Sequence, residues 1–316
     1  MLETGFLPNG ETAQVYAIGL DVGGTHIRGG LVALPSGRII TQRILPTEPK
    51  RGGEAVLADG LNLAKTLIAE SAKLDLKVLG IGIGVCELAD LEGNLTSSHT
   101  IAWKGLPIQD TFSRLAPCVV ESDVRAAALA EARFGAGQPF KFFTYVTVGT
   151  GISSCLVQSG RVYAGARGNA LILASSPLTT LCPACGTHYQ TVLEDVAAGP
   201  ALAIRYNRIQ VSQVSSGEEV MAAVDRGNPD AIGVVQTAGE ALGVSIGFMV
   251  NVLDPEAVVV GGGLGLAGGL YWSSFVSSTR AHIWADNTRD LPILPAQLGT
   301  DAGLVGAAVA LGERLL

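Results

Sequence analysis

Asp123 follows Ser122 where a short apolar run, "CVVES" (118–122), meets an Ala-rich run, "DVRAAALAEARFG" (123–135). An Asp at the carboxyl end of a strand points into the crevice where α/β proteins bind ligands. The N-terminus of the following helix favours its ionised form. Such a carboxylate can accept the proton of a hydroxyl nucleophile in phosphoryl transfer, a reaction that asks mainly for positioning and charge stabilisation. The same residue can equally be a helix N-cap.

Three glycine turns accompany it. In "DVGGT" (21–25), Gly23, Gly24 and Thr25 can close backbone N–H groups on a phosphate, and Asp21 can orient Mg²⁺ through water. Gly149, Thr150 and Gly151 form a second such turn. Gly261, Gly262 and Gly263 form a third, on which an adenine and ribose can lie against backbone. This third turn is not GxGxxG, and no acidic residue follows it at ~20 residues, which excludes a dinucleotide fold. Each turn alone reads equally well as a plain tight turn; the first two together suggest a pair of phosphate loops.

In "CPACGTHYQTVLE" (182–194), Cys182, Cys185 and His188 have the spacing of a zinc knuckle. No fourth ligand is evident nearby, since the other histidines are His26, His99 and His282. Two free cysteines in a loop are the alternative.

These residues need strands that end at the turns. "YAIGLDVGGTHIRGGLVALPSGRII" (16–40) and "TYVTVGTGISSCLVQSGRVY" (144–163) each read as a β run, a Gly/Thr turn, a second β run, Ser-Gly-Arg and a third β run. They lie about 125 residues apart and suggest two related halves. Between them, residues 54–73 have helical spacing, while 78–85 and 118–121 read as buried strands. Residues 165–190 read as irregular and 191–252 as mostly helical. "AVVVGGGLG" (257–265) is strand then turn, 292–297 a short strand, and the end of the chain a helix capped by Thr300 or Asp301.

The 316 residues suggest two domains with a cleft between them. The boundaries expected are a small N-terminal α/β domain, 1–122, with helix 301–316 packing back on it, and a larger α/β domain, 123–300. A net charge of −7 argues against a nucleic-acid surface, although backbone N–H groups still suit a nucleotide phosphate. No basic n-region, apolar h-region or ~20-residue apolar span is present, and the five cysteines are odd in number and lie partly in apolar runs. Together these suggest a cytoplasmic protein with no membrane partner.

The DVGGT turn, "ESDVRAAALAEARFGAG", GTGI, the cysteine stretch ending in Leu-Glu, "NVLDPEAVVVGGG" and "LGTDAGLVGAA" occur in one order. The chain from about 15 to 312 thereby resembles the ROK family of bacterial sugar kinases, repressors and open reading frames. The resemblance implies the actin-like ATPase fold, of ribonuclease H-like type, with two α/β domains and a central cleft. It implies ATP with Mg²⁺, transfer of a phosphoryl group to a sugar hydroxyl, and a homodimer. It assigns Asp123 as catalytic base, Glu194 as a sugar contact, and the three glycine turns to phosphate, phosphate and adenosine.

Several positions depart from the family pattern. Its Glu-x-Gly-His falls on Ile172 and Ser175, its third cysteine on Val192, the Asn before the catalytic Asp on Ser122, and the Pro-Asn of the sugar loop on Ser98-His99. The nucleotide side is retained and the sugar side is rewritten. A buried Ile172 would leave sugar hydroxyls without an acceptor unless His99, Ser122 and Ser175 compensate. The expected activity is a sugar kinase with an altered acceptor; a sensor that binds sugar or nucleotide without turnover is the alternative. A repressor's helix-turn-helix is not expected, because only about 14 residues precede the first strand. Glucose is therefore expected to be a poor acceptor. Coupled ADP-release kinetics check this, and a micromolar KM for glucose would contradict it.

Overall fold

The computed structural model describes residues 15–181, 188–211 and 213–315. Along the chain come β1 (Tyr16–Val22), β2 (His26–Ala33), β3 (Arg38–Pro46), α1 (Gly53–Lys73), β4 (Val78–Val85), α2 (Ile108–Ser113), β5 (Cys118–Ser122) and α3 (Asp123–Phe134). There follow β6 (Phe142–Val148), β7 (Ile152–Gln158), β8 (Arg161–Tyr163), β9 (Pro177–Leu181), β10 (His188–Val192), α4 (Glu194–Ala197), α5 (Gly199–Asn207) and α6 (Gly217–Asp225). The chain closes with α7 (Pro229–Leu253), β11 (Ala257–Gly261), α8 (Gly269–His282), β12 (Ile293–Pro295) and α9 (Ala302–Leu315).

It packs as two compact units, Met1–Gln138 with Gly160–Ala170 and Gln297–Leu316, and Pro139–Ser159 with Leu171–Ala296. In the first unit the sheet order is β3-β2-β1-β4-β5. β1, β2 and β3 form the antiparallel meander that the sequence predicts, while β4 and β5 join β1 in parallel. A parallel strand covered on both faces reads as a continuous apolar run, as "VLGIGIGV" of β4 does. α1 presents Val56, Leu63, Ala64 and Leu67 to the core at helical spacing. α9 packs on β1, β4 and α3. Because α3 lies against α9, the first unit runs on to Gln138 instead of stopping at 122.

Glu131 fastens that corner. It is fully buried, and its carboxylate accepts the N–H groups of Ala136 (2.8 Å), Gln297 (3.2 Å) and Leu298 (2.7 Å). One carboxyl group thus joins the end of α3 to the segment leading into α9.

The second unit has its own core, built around α7 and α8. The Asn228 side chain caps α7 by accepting N–H groups of Asp230 and Ala231, Pro229 fills the first helical position, and Asp254 ends the helix with φ 49°. α7 is long and apolar enough to span a membrane, yet half or more of it is buried in the unit, as in the core helix of a globular fold. Within this unit β12, β11, β6 and β7 are sheet neighbours in that order. Residues 165–181 and 188–190 hold more regular structure than expected. Leu173–Ser175 form a 3₁₀ turn, and β9 pairs antiparallel with β10. At the C-terminus, Gly299–Asp301 form a 3₁₀ turn leading into α9, and Asp301 accepts the Gln42 amide (3.0 Å).

Glu131→Ala leaves the buried Ala136 N–H and the partly buried Gln297 and Leu298 N–H groups without their acceptor. The expected cost is about 2–4 kcal/mol, read as a lower urea midpoint for the first unit.

Candidate functional site

β1, β4 and β5 are parallel neighbours, and each delivers a carboxylate at or just past its carboxyl end: Asp21, Glu87 and Asp123. Asp21 stands opposite Arg28 in the β1–β2 register, with Arg28 Nη1 3.8 Å from Asp21 Oδ2. A Cβ at Gly303, at the start of α9, would lie 2.7 Å from the Asp21 carboxyl carbon, so glycine there admits the carboxylate. Burial outweighs the attraction of Arg28 and pushes the Asp21 carboxyl up to about 6.

Asp123 is the first residue of α3. The N-cap is Ser122, whose side chain makes no capping bond, so the N-cap alternative for Asp123 does not hold. Instead, Asp123 Oδ1 accepts the next N–H, that of Val124, at 2.6 Å. Burial, then the charge of Asp21, push the Asp123 carboxyl up to about 7; Glu87 adds to this, and the Val124 N–H and Arg125 oppose it. The Cys86 thiol is also pushed up, by burial and by Asp123, Glu87 and Asp21. Four acidic groups thus share one corner of the unit.

The turn over residues 23–25 is held from outside. Gly23 N–H donates to His26 O (3.0 Å), Thr47 N–H to Thr25 O (3.0 Å), and the Thr47 hydroxyl to Gly23 O (2.6 Å). A Cβ on Gly24 would sit 2.6 Å from the Thr100 methyl, so the 97–101 loop rests on the turn. Glu87, 3 % exposed, holds this loop: it accepts the Ser97 hydroxyl and the N–H groups of His99 (2.9 Å), Thr100 (2.6 Å) and Ile101 (2.9 Å). Burial pushes its carboxyl up, but these four bonds outweigh burial and hold it below the usual range. The His99 side chain is exposed. The Ser122 hydroxyl is buried with no partner.

In the second unit the other two turns meet. Leu264 and Gly265 N–H groups both donate to Val148 O (3.0 Å each), and a Cβ at Gly262, with φ 83°, would overlap that carbonyl. The Gly149–Gly151 turn is closed by Gly149 N–H to Gly151 O (2.9 Å), and Gly149 O accepts the Gly199 N–H (2.8 Å) at the start of α5. Glu194 borders the same turn and accepts the Ile152 N–H (2.8 Å). One of its oxygens is therefore committed to backbone.

Ile172 and Ser175 do not join Glu194 by any hydrogen bond. The Ser175 hydroxyl donates to Ile172 O (2.9 Å), and Ile172 is 43 % exposed rather than buried as expected. It borders a groove of about 210 Å³ with Leu171, Phe248, Met249, Val252 and Leu253. Cys182 and Cys185 lie outside the described residues, as does the side chain of His188. Among the described residues no group of three His, Cys, Asp or Glu is arranged to hold a metal.

The ROK family matches this chain over residues 17–313. The chain belongs to the ROK family. It is 26% identical over 313 residues to a glucokinase of Streptomyces coelicolor, covering 92% of this chain and 96% of that one. The crystal structure of a ROK hexokinase from Thermus thermophilus is 31% identical with TM-score 0.78, over 95% of this chain and 99% of that one. A ROK glucokinase from Streptomyces griseus, solved with glucose and AMPPNP, is 27% identical with TM-score 0.78, over 94% and 99%. The fold of this ROK chain is thus the actin-like ATPase fold of these sugar kinases.

Sequence reasoning named Asp21, Asp123 and the turns but missed Glu87, Arg28 and Glu131. Arg28 had a signal, because its spacing from Asp21 places the two opposite each other in a hairpin.

A folded-state carboxyl titrating near 7 binds its proton more tightly than in the unfolded chain, where it titrates at its ordinary value near 3.8. Asp123 therefore lowers stability progressively as pH rises between those values. Asp123→Asn is expected to leave the melting temperature unchanged near pH 3.5 and to raise it by on the order of 2–4 °C at pH 8, measured by calorimetry.

Proposed function

We propose that this ROK protein is an ATP-dependent kinase acting on a sugar or sugar-derivative hydroxyl. The observation that carries the reading is Asp123: a carboxylate at a parallel strand end, beside Asp21, with proton affinity raised to about 7. A general base works best when it titrates near the operating pH. Asp123 would accept the proton of the attacking hydroxyl. Asp21, with the N–H groups of Gly23, Gly24 and Thr25, and the turn of Gly149, Thr150 and Gly151 would bind phosphates. Gly261, Gly262 and Gly263 would receive the adenosine.

Mg²⁺ fits Asp21, a partly exposed carboxylate next to a phosphate turn. When bound it neutralises charge on the phosphates, keeping waters as its remaining ligands. No role for zinc is derived, since Cys182 and Cys185 lie outside the described residues.

On the acceptor side the reading places Ser122, whose buried hydroxyl lacks a partner, and His99, exposed on the loop that rests against Gly24. Glu194 retains one uncommitted oxygen, while Ser175 bonds within its own turn. The Streptomyces glucokinases and the Thermus hexokinase support sugar as the substrate class. A cytoplasmic homodimer belongs to the same reading, with Phe248, Val252 and Trp284 as exposed apolar surface that a second copy could cover.

A panel of sugars with ATP and Mg²⁺, assayed by coupled ADP release, tests the reading. Turnover is expected on at least one sugar, with a loss of about 10²–10⁴-fold in Asp123→Asn. Because only the ionised base accepts a proton, kcat/KM should rise about tenfold per pH unit below about 7 and level off above it. Nucleotide binding without turnover on any sugar would favour the sensor reading instead.

A further inference from the structure

We propose that Glu87 is a positioning residue for the acceptor: its carboxylate clamps the 97–101 loop, and with it His99, against the phosphate turn. This rests on the kinase reading above.

Each oxygen of Glu87 holds two donors. Oε1 accepts the N–H groups of Thr100 and Ile101, and Oε2 accepts the Ser97 hydroxyl and the His99 N–H. Two oxygens occupied in this way have little left for a substrate hydroxyl. The residue therefore acts on the acceptor through the loop and does not bind it directly. Three consecutive N–H groups pointing at one carboxylate fix the backbone path, since a buried N–H without a partner is costly. Besides these bonds, the fully buried Ile101 side chain anchors the end of the loop in the core of the first unit. Ser97 Oγ also accepts the Leu88 N–H (2.9 Å), and Ser98 Oγ accepts the Lys104 N–H (2.9 Å).

The fixed loop has two consequences. It presses the Thr100 methyl on Gly24, which sets the distance of the loop from the phosphate turn. It also leaves the His99 side chain facing solvent, available to a ligand. The turn itself is held separately through Thr47. Loosening the loop should therefore disturb the acceptor and spare the nucleotide.

Glu87→Gln is the sharpest change. The amide keeps one acceptor oxygen, and its NH₂ replaces the other, facing donors it cannot accept from. Ser97→Ala is milder, since it removes one of the four bonds and keeps the carboxylate. In Glu87→Gln, amide hydrogen exchange at His99, Thr100 and Ile101 should quicken by about tenfold or more, with β1 and β4 unchanged. Acceptor KM should rise about tenfold, with kcat and nucleotide Kd within about threefold of the unaltered protein. Ser97→Ala should move the same quantities in the same direction by less.

Unchanged exchange at the three amides would overturn the clamp. Exchange quickened throughout the first unit would show that Glu87 merely supports the fold. Quickened loop exchange with an unchanged acceptor KM would show that the loop does not face the acceptor. If the unaltered protein turned over no sugar, the kinase reading and the acceptor role would fall with it. The exchange arm would still decide whether the clamp exists.

Discussion

The first unit concentrates negative charge where its parallel strands end, and much of its local structure answers that constraint. Asp21, Glu87 and Asp123 arrive on β1, β4 and β5 because adjacent parallel strands finish on one edge of a sheet. Water is scarce there, so each charge must be matched by donors or held back by a proton. Glu87 takes the first course with four hydrogen bonds. Asp21 has Arg28 at 3.8 Å, and Asp123 has one backbone N–H, so both remain undercompensated. The result is a graded set: one carboxylate that stays ionised as a fixed part of the scaffold, and two whose charge is costly until something positive arrives. A ligand or ion that supplies positive charge gains binding energy from a defect already present in the fold. A protein under selection for stability alone would have removed it.

The second unit solves the opposite problem without side-chain charge. Val148 O receives two N–H groups from the turn after β11, and the Gly149–Gly151 turn is closed on itself and tied to the start of α5 through Gly149. Glu194 tethers the far side of that turn through Ile152. An anion can be met by oriented backbone amides at no cost in net charge. Such a turn needs no positive side chain, which suits a chain that carries a net charge of −7.

What could be read from the sequence follows from the range of each interaction. The two meanders, α1, β4, β5 and α3 all leave local signals, because periodic burial and turn residues act over a few positions. Asp123 was legible because a strand-to-helix junction is local. Glu87 was not: its donors lie ten to fourteen residues away in a stretch with no periodicity. Glu131 was not either, since its partners Gln297 and Leu298 are more than 160 residues distant. The run of the first unit past 122 to Gln138 was hidden for the same reason, as α3 meets α9 only through packing. Ile172 was expected inside because it is apolar, but its neighbours place it at the rim of a groove.

On the kinase reading, the side chains proposed for the acceptor can be compared within each unit. Ser175 turns its hydroxyl back on its own 3₁₀ turn, Ile172 offers no hydrogen bond, and Glu194 has one oxygen bound to Ile152. These three side chains offer few free polar groups. In the first unit the Ser122 hydroxyl lacks a partner, Asp123 is held at one oxygen only, and His99 is exposed on a loop whose path is fixed by a buried carboxylate. If the acceptor is read chiefly there, selectivity depends on where backbone holds those groups more than on how many groups there are. A site with few polar contacts discriminates by unpaired groups: an acceptor that leaves Ser122 or Asp123 without a hydrogen bond loses more than one that merely adds an unmatched hydroxyl exposed to water. The accepted sugars should then share the geometry around the reacting hydroxyl and vary at positions remote from it.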